Sequence, residues 1–169
     1  LQVINYNQSH NIKDVNVFEL STTYSKNTEL QNLAIACCGE YNGLAFKQIS
    51  YKADYYLMKG FVETIFKNLG VEESRYKLVR VDQNDTNYHP GRSAYIMIGK
   101  EIVGVIGNIH PLMEKKYNVK DVYVVELNLT TLLNLKTSKV KFVDIPMYPS
   151  VSRDIALVMD KDVATYDVC

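Results

Sequence analysis

The 169-residue sequence predicts an α+β fold, an antiparallel sheet flanked by helices. Three observations carry that expectation. Runs with period-two alternation, such as Val15 to Tyr24 and Asp121 to Leu129, recur between short polar segments, the pattern of strands joined by turns. One stretch, Asp54 to Leu69, instead repeats its apolar residues at helical spacing. The segment Tyr88 to Pro111 reads as a hairpin that is apolar on both faces, so other elements or a partner must cover it.

Taken in order, Leu1 to Asn7 is the tail of a helix or a short strand, and Asn7 to Asn16 is loop-like. Val15 to Tyr24 and Leu30 to Cys38 are strands around a turn at Ser25 to Thr28, and Glu40 to Lys52 is irregular. Asp54 N-caps the helix, whose stripe is Leu57, Phe61, Ile65 and Leu69, widened by Met58, Val62 and Phe66. Gly70 suits the position just past its end. Gly60 lies inside it at about 1 kcal/mol relative to Ala, which points to close packing of the backbone on the sheet. Tyr76 to Val81 is a further strand, Asp82 to Asn87 a polar loop, Pro111 to Tyr117 a short helix and Thr130 to Leu135 a helical turn.

Within the hairpin, Pro90-Gly91 has the chemistry of a type II turn, so Gly91→Val is expected to misfold. Gly99-Lys100 suits a II′ turn and sets a register of Ile98 with Glu101, Ile96 with Val103, Tyr95 with Gly104 and Ala94 with Val105. Tyr95 would then lie across a glycine.

Beyond Lys136 the character changes. Residues 1–135 read as one domain, 136–150 as a linker and 151–169 as the start of another, with a strand at Ser152 to Asp160 and a helix start after Lys161. The chain begins at Leu1 and stops at Cys169 within a patterned segment, so it reads as a piece of a longer protein.

Lys+Arg and Asp+Glu number 19 each, a balance that weakens any reading as an autonomous nucleic-acid binder. No apolar run is long enough for a membrane span. Three cysteines, Cys37 and Cys38 adjacent, make no disulfide framework and fit a reducing, cytoplasmic setting.

Catalytic equipment is sparse. His89 and His110 each precede a proline without a third metal ligand at suitable spacing, and fit turn residues bonded to backbone. The glycines of Val103 to Gly107 lie in an apolar strand, not in a phosphate loop. Arg92 has the planar fork to clamp a carboxylate or phosphate, or to pair with a nearby acid. Arg153-Asp154 reads as a self-paired surface dipeptide. A small stand-alone enzyme would need His89, Arg92 and His110 around one concave pocket. A free small-ligand or nucleic-acid-binding module is the other alternative.

Tyr88-His-Pro-Gly-Arg-Ser-Ala94, the hairpin closing on Ile106-Gly-Asn-Ile-His-Pro111, and Glu126-Leu-Asn-Leu129 together resemble the β subunit of bacterial phenylalanyl-tRNA synthetases. Val17-Phe-Glu19, Asp54-Tyr-Tyr56 and Lys59-Gly60 fit the same pattern. Pro149-Ser-Val-Ser-Arg-Asp-Ile-Ala156 resembles the beginning of that subunit's ferredoxin-like anticodon-binding domain. The resemblance implies a class II synthetase-like sheet without catalytic residues, as part of an α2β2 enzyme that charges tRNA-Phe using ATP and Mg²⁺, and no cofactor in this fragment. His89, Pro90, Gly91, Arg92, Gly107, His110, Pro111, Arg153 and Asp154 are then family-motif residues with structural or interface roles, beside an α subunit that carries the chemistry. The strand Val15 to Tyr24 has no arginine to hold ATP phosphates, which agrees with a pseudo-catalytic domain.

Overall fold

In a computed structural model of the chain, residues 1–26, 28–44, 46, 49–135 and 147–160 are described. A helix, α1 (Gln2–Ser9), leads into β1 (Val15–Ser25) and β2 (Thr28–Cys38). A short pair follows, β3 (Glu40–Leu44) and β4 (Ile49–Lys52), then α2 (Tyr55–Asn68) and β5 (Tyr76–Arg80). Next come β6 (Tyr88–Ile98), β7 (Glu101–Ile109), α3 (Pro111–Tyr117), β8 (Tyr123–Asn128) and α4 (Leu129–Asn134). Among the described residues, six strands form one antiparallel sheet in the order β1-β2-β8-β7-β6-β5, and β3 and β4 form a separate pair.

The strands β1, β2 and β8 and the helices α2, α3 and α4 stand where sequence reasoning puts them, and α1 resolves the open reading of the first residues as helix. Glu40 to Lys52 differs. There β3 pairs antiparallel with β4, Tyr41 opposite Tyr51, and Tyr41 meets Phe61 edge-on at 5.4 Å. Ser152 to Asp160 differs too: expected as a strand, it forms no ladder among the described residues, and Ile155 and Val158 are exposed. The linker at 136–146 and the helix start after Lys161 lie outside the described residues.

Cross-strand rows explain the core. Phe18, Ile35, Val125, Ile106 and Ala94 form one row, and Leu20, Leu33, Leu127, Gly104 and Ile96 the next. Their central members are buried under α2 and α4, whose Met58, Val62, Phe66 and Leu132 are at most 1% exposed. The α2 stripe is thus rotated by one residue from the sequence expectation. Leu57, Phe61, Ile65 and Leu69 pack at its margin, because a groove left open beside Phe18, Leu33 and Ile35 runs past Phe61 and Ile65. At the edge strand, Phe18 and Leu20 are 76% and 63% exposed. On the opposite face α1 and α3 cover a smaller core, with Ile4, Ile109 and Val122 buried.

Local chemistry holds α2. The Asp54 carboxylate accepts from the Leu57 amide at 2.7 Å, and Gly70 takes φ +73° just beyond the helix end. Gly60 is corrected: a Cβ added there meets nothing within 4 Å, so no sheet packing requires it. Gly60→Ala is therefore expected to raise stability by about 0.5–1 kcal/mol through helix propensity, read as a higher urea midpoint at constant m-value.

The hairpin turns at Gly99-Lys100, with Gly99 at φ +62° and Lys100 outside the positive-φ region, as a II′ turn requires. Register then departs from expectation. Ile98 faces Glu101, but Val103 is an extra residue, so Ile96 meets Gly104, Tyr95 meets Val105 and Ala94 meets Ile106. The bulge moves Ile106 to the α2 face and Val105 to the other. Tyr95 therefore does not cover Gly104. That glycine is needed elsewhere, because an added Cβ would stand 2.3 Å from the Glu126 carbonyl oxygen on β8.

Pro90-Gly91 is not a turn. Both lie within β6, and Gly91 does not take positive φ, so the backbone argument against Gly91→Val falls. Between the pairs Tyr88–Ile109 and Ser93–Gly107, His89 to Arg92 stand opposite Asn108 alone. The motif is a special bulge, four residues against one, in an interior strand.

Candidate functional site

Among the described residues the sheet face turned away from α2 is largely open beyond the reach of α1 and α3. One row there runs Glu19, Ala34, Glu126, Val105, Tyr95 and Val79 across all six strands. The next holds Ser21, Asn32 and Asn128. Ala34 is small and stands between the two glutamates, leaving a groove of about 560 Å³. Glu19 and Glu126 are two strands apart, roughly 10 Å by standard strand spacing, and neither is in a salt bridge among the described residues.

Among the described residues no lysine, arginine or histidine lines this groove. A nucleotide's phosphates need cations or free backbone N–H groups, and two carboxylates repel them instead. ATP therefore does not fit these residues. Among the described residues no three His, Cys, Asp or Glu side chains are placed to hold a metal ion. Cys37 is buried on the α2 face, and burial, with the neighbouring Cys38 adding to it, pushes its thiol up to about 11, the opposite of an activated nucleophile.

The motif residues surround the β6 bulge. His89 Nδ1 accepts from the Gly91 amide at 3.1 Å, and His110 Nδ1 accepts from the Leu112 amide at 3.1 Å, capping α3 with Pro111 in its first turn. Tyr88 and Ile109 are register partners, so the two histidines follow one cross-strand pair. Neither ring, nor Arg92, lines the sheet groove. Gly107 takes φ +142° against Arg92 and Ser93. Ser93 Oγ donates to the Asn108 carbonyl at 2.8 Å, and Asn108 Nδ2 donates to the Val122 carbonyl at 2.9 Å, both buried. Arg153 and Asp154 are exposed, and no salt bridge joins them.

Sequence reasoning gave Tyr88 no role of its own and Tyr95 only a place across a glycine, and it did not single out Asp85 or the Glu19–Glu126 pair. Burial first, then the charge and hydrogen bond of Glu126, push the Tyr88 phenol far above its ordinary range. Tyr95 Oη donates to Asp85 Oδ2 at 2.9 Å. Partial burial alone would raise the Asp85 carboxyl; hydrogen bonds from the Asn87 amide, Tyr95 and the Tyr88 amide, with the charge of His110, outweigh it and hold the group below its ordinary 3.8. A depressed carboxyl stabilises the fold above its unfolded pKa and loses that contribution as pH falls through the folded value. The Asp85 carboxyl carbon should thus titrate by NMR below 3.8, and Tyr95→Phe should move its midpoint upward. An unmoved midpoint would remove Tyr95 as a cause.

The model for the phenylalanyl-tRNA synthetase beta chain CLM domain matches residues 1–129. The chain is 34% identical over 170 residues to the phenylalanine–tRNA ligase beta subunit of Geobacillus kaustophilus, covering 96% of this chain and 21% of that protein. It is 33% identical over 171 residues to the Bacillus subtilis protein of the same name, again 21% of its length. The chain thus spans about a fifth of these relatives. Among solved structures, pyrrolysyl-tRNA synthetase from Desulfitobacterium hafniense superposes with a TM-score of 0.54 at 14% identity, over 78% of this chain and 46% of that one. A second structure of PylSc, a pyrrolysyl-tRNA synthetase from the same organism, gives 0.55 at 14%, over 77% and 45%. At that identity the likeness concerns the fold, an antiparallel sheet of the class II aminoacyl-tRNA synthetase type with flanking helices. With three quarters of its residues under the family model and about a third identical to full subunits, the chain belongs to the phenylalanyl-tRNA synthetase beta chain CLM domain family.

Proposed function

We propose that this chain is a non-catalytic module of a phenylalanine–tRNA ligase β subunit. It braces the catalytic α subunit within an α2β2 enzyme that charges tRNA-Phe in the cytoplasm with ATP and Mg²⁺. The observation that carries this reading is the sheet groove. Its position on a class II-type sheet is open, yet among the described residues it presents Glu19 and Glu126 and no cation. Residues 1–135 form the module, 136–150 the linker and 151–169 the start of the anticodon-binding domain. His89, Pro90, Gly91, Gly107, His110 and Pro111 shape the β6 bulge and the start of α3; Arg92, Arg153 and Asp154 are left for interfaces. A stand-alone enzyme built on His89, Arg92 and His110 is disfavoured, since the Nδ1 atoms of both rings already accept backbone N–H groups.

ATP–pyrophosphate exchange with phenylalanine tests the first half. The isolated chain should show only background exchange, whereas full-length β co-expressed with α should exchange at the rate of an intact synthetase. Exchange near that rate by the chain alone would overturn the proposal. Co-purification of α with full-length β tests the second half.

A further inference from the structure

The β6 bulge is built to hold a single arginine out. Resting on the subunit reading above, we propose that Arg92 anchors this module to its partner subunit by pairing with one carboxylate of that protein.

The bulge is a rigid device. Four residues, His89 to Arg92, span the space of Asn108, with a ladder pair closing each end. Its base is fixed by the buried Ser93–Asn108 and Asn108–Val122 hydrogen bonds. The His110 amide donates to the Asn87 carbonyl at 2.8 Å. The Arg92 carbonyl is packed where a Gly107 side chain would begin. Pro90 brings no N–H that would be left unpaired. Forcing positive φ at Gly107 and interrupting a central ladder carries a cost, and bulges of this kind serve to re-aim a side chain.

The side chain so aimed has no use within the described residues. The Arg92 guanidinium is exposed and makes no hydrogen bond or ion pair there. The acids of the adjacent loop are committed elsewhere. Asp82 Oδ1 accepts from the Asn84 amide at 2.9 Å, and Asp85 accepts from the Asn87 amide at 2.7 Å and from Tyr95. They nonetheless leave negative charge beside the bulge. A single carboxylate meets the planar fork in two parallel hydrogen bonds and brings one negative charge to this acidic surface, where each phosphate of an RNA backbone would bring a further one. His89 adds a donor: with Nδ1 accepting from Gly91, the ring proton sits on Nε2.

The test uses full-length β co-expressed with α. Arg92→Glu and Arg92→Lys are expected to weaken α–β association by about tenfold or more, the lysine less than the glutamate, since a desolvated charge pair loses its partner. The melting temperature of β alone and the salt slope of tRNA binding should stay at their wild-type values. Unchanged association in both variants would overturn the inference. So would a loss confined to tRNA affinity with a shallower salt slope, the mark of a phosphate contact. A wild-type β that does not associate with α would instead overturn the subunit reading itself.

Discussion

Gly107→Ala is expected to abolish the native fold of residues 1–135, lowering stability by about 4 kcal/mol or more. The added Cβ would stand 2.3 Å from the Arg92 carbonyl oxygen and 2.4 Å from Ser93 Cα and Oγ. The first two are backbone atoms of the paired strand and cannot swing aside as a side-chain tip does. Gly107 also takes φ +142°, a conformation that L side chains rarely adopt, so space and backbone both exclude alanine. Urea unfolding followed by circular dichroism measures the loss. Gly91→Ala is the control, since its Cβ finds only the His89 ring, Cε1 at 3.5 Å and Nδ1 at 3.7 Å, and its φ is not positive. It should stay within about 1 kcal/mol of wild type. A Gly107→Ala protein that unfolds at the wild-type urea midpoint would show that the bulge closes some other way.

Those two glycines mark the limit of what local sequence conveys. Gly91 follows a proline and carries a turn signature, yet β5 pairs alongside, with Arg80 opposite Ala94 and the Val81 amide reaching Ser93, and the motif is drawn into a strand. Gly107 looks like one small residue in an apolar run, and only the bulge packed against it makes it irreplaceable. The helix α2 was legible because its cap, its apolar spacing and Gly70 all act within a few residues. The Gly99-Lys100 turn was legible for the same reason. Register beyond Val103 was not, since β7 is also paired to β8, which sits later in the chain.

The groove was hidden by distance in sequence. Glu19 follows an alternating run, and Glu126 is the one charged residue within β8, each a usual polar position on a half-exposed strand. Their sharing of a row depends on β8 lying between β2 and β7, which follows from strand order alone. The absence of arginine from Val15 to Tyr24 was readable at once, and it agrees with the acidic lining of the groove.

Phe66→Ala is expected to cost about 3–5 kcal/mol, because it empties the centre of the larger core. Phe66 is 1% exposed and meets the Tyr76 ring edge-on at 5.0 Å, so both the buried area and the ring contact are lost. Met58 and Val62 are fixed on the same helix, and Ile96 and Ile98 are held by strand pairing, so none of them can collapse fully into the space. The same urea series measures the loss, and a change under about 1 kcal/mol would mean that α2 does not seat on β7 and β8 as the structure places it. The consequence for assembly separates two kinds of residue on this module. Phe66→Ala weakens association with α only as far as it unfolds the module, so lower temperature or a stabilising osmolyte restores binding. Arg92→Glu leaves the fold intact, and neither condition restores binding. An Arg92→Glu defect that osmolyte repairs would place that residue with Phe66 as part of the scaffold.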